Sequence, residues 1–91
     1  MQEDNIFRHN LIIENREKIA ITGVLDVISF DEDVIVSETE MGVLIIKGEN
    51  LHVNSLNLEK KEMIIEGLLL SLAYEEKGQT ERSSLFGKIF R

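Results

Sequence analysis

Ninety-one residues with 43% apolar and 30% charged content suit one folded domain with a modest core, which excludes a disordered chain and leaves no room for a second domain. Cysteine is absent, so disulfides, thiolate metal sites and a cysteine nucleophile are excluded. The net charge of −7 divides into −10 over residues 1–76 and +3 over residues 77–91; an acidic body repels phosphate backbones, and 5% aromatic content without tryptophan leaves little for base stacking, so no nucleic-acid partner is expected.

Residues 1–8 read as a flexible N-terminus. The opening MQEDNIFRHN is acidic and polar where a secretory signal is basic and then apolar, and no apolar run approaches the length of a membrane span. Together with the missing cysteines, this leads to the expectation of a cytoplasmic chain.

From residue 9 to residue 76 the pattern is that of a β domain. Strands are expected near 10–14, 18–22, 24–30, 34–39, 43–48, 51–58, 62–66 and 68–75. Val34-Ile35-Val36-Ser37-Glu38-Thr39 is rich in branched residues, and Leu51-His52-Val53 and Leu56-Asn57-Leu58 alternate. Asp31-Glu32-Asp33 separates two apolar runs with residues that tolerate turn geometry. Gly42, after Met41, and Gly48, before Glu49-Asn50, are each expected to supply a turn. Gly23 and Gly67 sit between apolar segments with no polar loop around them, which points to a bulge or a sharp bend within a long strand. Valine at either should damage folding more than valine at Gly78.

Two stretches follow one plan, 44 positions apart. NLIIENREKIAITGVLDVISF (10–30) and NSLNLEKKEMIIEGLLLSLAY (54–74) align Ile12 with Leu56, Ile19 with Met63, Ile21 with Ile65, Gly23 with Gly67, Leu25 with Leu69, Ile28 with Leu72 and Phe30 with Tyr74. The charged stretch Asn15-Arg16-Glu17-Lys18 falls on Glu59-Lys60-Lys61-Glu62. Each copy is a hairpin: an apolar strand, charges, and an apolar return through a glycine. The expected fold is therefore a small all-β domain built from two similar hairpins, as a two-sheet sandwich or roll. Val43-Leu44-Ile45-Ile46 and Met63-Ile64-Ile65 are apolar at successive positions, which requires cover on both faces. Proline, one device that blunts sheet edges, is absent. Homo-oligomerisation is the expected consequence, with a self-sealed monomer as the alternative.

Residues 77–91, KGQTERSSLFGKIFR, form a basic-apolar tail expected to be mobile at its polar start. Leu85, Phe86, Ile89 and Phe90 fall at helical spacing beside Lys88 and Arg91, with Ser83 or Ser84 available as a cap. Such a segment suits three roles: folding back onto the body's own apolar edge, docking on a partner, or touching a membrane surface, the last weakly because nine residues bury little area.

Sites of chemistry are sparse. His9 lies at the ragged entry to the first strand, and His52 lies mid-strand and should face solvent. A zinc site needs three or four convergent ligands, which the two histidines and scattered carboxylates do not supply. Asp31-Glu32-Asp33 lacks the ligand spacing of a calcium loop and reads as an acidic turn. Ser29, Ser37, Ser55 and Ser71 have no nucleophile context, and phosphate-cradling glycine patterns are absent. Neither a metal nor a cofactor is expected, and no catalytic residue is assigned.

One resemblance goes further. His9-Asn10-Leu11 with Glu14-Asn15-Arg16-Glu17, Thr22-Gly23-Val24, Val27, Phe30-Asp31, Gly42, Ile46-Lys47-Gly48-Glu49, Leu51-His52, Leu56-Asn57-Leu58 and Glu66-Gly67 resemble, in that order, the YabP family of small sporulation proteins, relatives of the YqfC proteins of spore-forming Firmicutes. The ending Leu85-Phe86-Gly87-Lys88-Ile89-Phe90-Arg91 is similar to that family's basic-apolar terminus. The resemblance implies a non-enzymatic protein made during endospore formation and linked to assembly of the spore coat or cortex, with another sporulation protein as partner. The alternative is a peripheral membrane adaptor whose C-terminal tail docks on the forespore membrane or on an integral sporulation protein. The resemblance carries no catalytic residues across.

Overall fold

The computed structural model describes residues 9–75, so the expectations for residues 1–8 and for the tail, its helix included, lie outside the described residues. Six antiparallel strands form one sheet: β1 (Leu11–Glu14), β2 (Lys18–Thr22), β3 (Val24–Phe30), β4 (Val34–Thr39), β5 (Gly42–Asn57) and β6 (Glu62–Glu75), in the order β1-β2-β6-β5-β4-β3. The described residues contain no helix. The all-β expectation holds, and of the two arrangements foreseen the sheet adopts the roll.

Its turns follow from local chemistry. Between β1 and β2, the Glu17 amide donates to the Glu14 carbonyl at 2.9 Å across Asn15 and Arg16, both at positive φ (54° and 56°). Two left-handed central residues make a type I′ turn, whose twist matches that of the paired strands. Asp31 Oδ1 accepts from the amides of Asp33 and Val34, at 2.9 Å each, so the acidic triplet makes the expected side-chain-closed turn. Met41-Gly42 turns β4 into β5, with Thr39 Oγ1 donating to the Gly42 carbonyl at 2.7 Å.

The third glycine turn does not form. Gly48-Glu49-Asn50 lies inside β5, which runs unbroken through positions expected to divide it, whereas β6 runs through Gly67 as the bend within a long strand that was expected there. Asn50, not Gly48, takes the left-handed conformation (φ 54°). Pairing between β5 and β6 slips between Lys47 and Gly48, between Glu49 and His52, and between Val53 and Ser55. These bulges bend the long hairpin, since each unpaired residue adds a local kink and twist. Glycine is required where the bend brings backbones together. A Cβ on Gly67 (φ 132°) would stand 2.5 Å from the Asn50 carbonyl oxygen and 2.8 Å from Leu51 Cα, and one on Gly48 would strike the Leu68 carbonyl.

Bending divides the sheet into two four-stranded halves that share β5 and β6. One half is β3, β4 and the β5 and β6 segments of 42–49 and 68–75; the other is β1, β2 and the segments of 52–57 and 62–66. The core fills the inside of the bend: Ile19 and Ile21 of β2 and Met63 and Ile65 of β6 share one cluster with Ile35, Leu44 and Ile46 of the other half.

The sequence repeat appears as a local two-fold axis. Lys18 pairs with Glu66 and Thr22 with Glu62; Ile19 pairs with Ile65 and Ile21 with Met63; Ala20 pairs with Ile64, its own equivalent 44 positions on. Phe30 opposite Ile35 is matched by Tyr74 opposite Leu44. One detail corrects the alignment. Ile13 faces Ile19 as Leu56 faces Met63, because the second hairpin turn is one residue longer than the first. The strands before the two turns are thus related by 43 positions, and the Ile12–Leu56 equivalence does not hold.

Candidate interaction surface

The structural glycines occupy the joints of the roll. Gly23 (φ 80°) separates β2 from β3, Gly42 (φ 123°) opens β5, and Gly48 and Gly67 lie at the central bend. The partner-contact residues proposed on the tail, Leu85 to Arg91, lie outside the described residues.

Both histidines contact neighbouring groups of the chain. His9 Nδ1 lies 2.6 Å from the Thr22 carbonyl, so Nδ1 carries the proton and donates; Nε2 lies 2.6 Å from the Tyr74 hydroxyl. The rings stand edge to face at 5.7 Å, and burial raises the Tyr74 pKa above its ordinary 10.0. His52 is exposed as expected, with Nε2 3.5 Å from Glu66 Oε1. Both sit in an open cleft of about 610 Å³ at the central bend, also lined by Glu17, Lys18, Glu49, Asn50, Gly67 and Leu68. Nearly all of these residues are exposed, so water screens their charges and the cleft can steer polar ligands better than it can polarise one. No group of three or more metal-ligating side chains occurs among the described residues.

The apolar surface is the more distinctive feature. β1 and β3 end the sheet order, and large apolar side chains on both stay in water: Ile12 and Ile13 on β1, and Leu25, Ile28 and Phe30 on β3. Phe30 is 66% exposed and borders a 450 Å³ groove with Leu51, His52 and Val53. The two-fold relates Phe30, at this groove, to Tyr74, 44 positions on, whose ring meets His9. In one copy the aromatic ring meets an imidazole; in the other its counterpart faces the groove.

Sequence reasoning missed the outer face of the β3-β4-β5-β6 half. Val34, Val36, Val43 and Ile45 form a second buried cluster there, on the side of the sheet away from the core. Their alternation with Ile35, Leu44 and Ile46 carried the signal, read before only as a demand for cover on both faces. Beside them Glu75 is 9% exposed, and its Oε1 has no hydrogen-bond partner among the described residues.

Against known proteins, the model of the YabP family matches residues 5–81. The chain is similar to the "Spore protein YabP" of Bacillus subtilis (strain 168), with 33% identity over 85 residues covering 92% of this chain and 85% of that protein.

Proposed function

Because this chain belongs to the YabP family, we propose that it acts during endospore formation as a non-enzymatic assembly module of the spore envelope, joining copies of itself and a second sporulation protein. The observation that carries this reading is the uncovered apolar surface of the edge strands, with Phe30 most exposed. Exposed aromatic and aliphatic residues beside a groove are the usual anchors of protein contacts. The edge at β1 is only four residues long and that at β3 carries two register slips. Such edges discourage indiscriminate strand pairing and leave side-chain contacts as the route to a specific partner.

Light scattering over a concentration series is the direct test. The unmodified protein should form a defined oligomer, and Phe30→Asp with Ile28→Lys should shift it towards monomer while the circular dichroism stays unchanged. A strict monomer at every concentration removes the self-assembly half of the reading. A fluorescent fusion should concentrate around the developing spore, and a diffuse signal throughout sporulation removes the envelope role.

A further inference from the structure

Val34, Val36, Val43 and Ile45 are only 2–6% exposed, yet they lie on the face of the sheet opposite the core. Direct pairings define that face. Ser29, Val36, Ile45 and Ala73 stand side by side across its four strands, as do Asp26, Glu38, Val43 and Glu75. Every described strand already belongs to the sheet, so no described element remains to lie over it. We propose that the chain's own C-terminal segment, residues 85–91, docks on this outer face and latches against Val36 and Ile45.

Position, charge and reach favour that occupant. β6 ends at Glu75, which pairs with Val43 and so delivers the following residues to the rim of the patch. The patch is edged by Asp26, Glu38 and Glu75, and residues 77–91 carry +3. A buried carboxylate oxygen without a hydrogen-bond donor is costly unless a cation reaches it. Lys88 and Arg91, interleaved with Leu85, Phe86, Ile89 and Phe90, bring cations and apolar bulk to the same place. The ten residues from Glu75 to Leu85 span roughly 30 Å when extended, and four strands are crossed in about 15 Å. The other terminus is poorly placed. His9 joins Tyr74, which pairs with Leu44 on the core side of the sheet, so the chain enters from the opposite face.

The latch is independent of the sporulation role and has a consequence for it: while seated, the segment's apolar side chains are withheld from membranes and from partners.

The test uses the full cysteine-free chain with the paired substitutions Val36→Cys and Phe86→Cys, under mild oxidation. A tethered segment sees its dock at an effective concentration on the order of millimolar. An intramolecular disulfide should therefore form at a yield unchanged by dilution and about tenfold above that of a control pairing Ile64→Cys, on the outer face of the other half, with Phe86→Cys. A dilution-sensitive dimer would mean that a second copy's tail fills the face and overturns the latch; absence of any bond overturns it too. Should the cysteine variants misfold, nuclear Overhauser contacts in the unmodified chain decide. Contacts from the Phe86 or Phe90 rings to the Val36 and Ile45 methyls support the latch, and contacts from Phe7 in their place refute it. Sedimentation of the unmodified chain with phosphatidylglycerol vesicles, dependent on Phe86 and Phe90, would make the membrane the occupant and refute it as well.

Discussion

Arg16 occupies a position where a type I′ turn favours glycine, and its side chain accounts for the exception. Its Nε donates to the Leu69 carbonyl at 3.0 Å while its own carbonyl accepts from the Leu69 amide at 2.9 Å, so the turn clasps β6 at the bend. A left-handed non-glycine residue costs about 1–2 kcal/mol, and a hydrogen bond from a charged donor returns about 1.5–3 kcal/mol. Arg16→Ala loses the bond and keeps the strain, so it should destabilise by about 2 kcal/mol. Arg16→Gly loses the bond but relieves the strain and should cost about half as much. Urea denaturation that ranks alanine above glycine would contradict this account. Tyr74 offers a second check, because it is the chain's single tyrosine and tryptophan is absent. Burial raises its folded-state pKa above 10.0. The stability tied to the neutral phenol is then fully present below pH 10 and lost as pH rises through the folded value. Absorbance titration near the phenolate band should give a midpoint above that of free tyrosine; a midpoint at or below it means the ring is not sheltered.

At the scale of elements, the long β5–β6 hairpin decides the shape. Its bulges and the close approach at Gly48 and Gly67 turn a strip of sheet into a roll that encloses Leu51 and Leu69. Gly67→Ala combines a disfavoured φ with a Cβ set against Asn50 and Leu51 backbone, which has no flexible side chain to move. Strain of about 1–2 kcal/mol and overpacking of about 1–3 kcal/mol should together cost about 2–5 kcal/mol, measured as a shift in the denaturation midpoint. A loss below about 1 kcal/mol would mean that the bend relaxes without the glycine. The eight short strands read from the sequence are all present; the join at Gly67 is the bend within a long strand that was expected, and the join at Gly48 was taken for a turn. The residues that mark such joins, glycine and asparagine, serve tight turns and bulges alike. Only the partner strand tells them apart.

For the whole molecule, the two-fold places the two copies so that each shields the other. The amide of Val24 donates to the Lys61 carbonyl and that of Gly67 to the Glu17 carbonyl, both at 3.1 Å; thus the hairpin turn of each copy caps the glycine joint of the other. β2 reaches β6 only across forty or more positions, so the central pairing is expected to form after the local hairpins. No proline occurs to add an isomerisation step. Refolding in stopped flow should therefore finish within about milliseconds to seconds, with no phase of tens of seconds of the kind proline causes. A slow phase that persists on dilution would expose a further barrier outside the monomeric fold, and one that vanishes on dilution would belong to assembly.

The linear chain determined the strand-forming segments, the hairpin repeat and the need for cover on both faces of Val43–Ile46, because alternation, branching and turn chemistry act between near neighbours. Family membership was legible as well, in the order of short matches from His9 to Gly67. Tertiary structure alone decided that Gly48 serves a close approach and not a turn, that Arg16 holds Leu69, and that four aliphatic residues gather beside a buried Glu75 on the outer face. Each of these joins residues far apart in the chain, and the contact depends on how the sheet bends. No periodicity records that bend, since residues on both of its sides repeat with the same period of two.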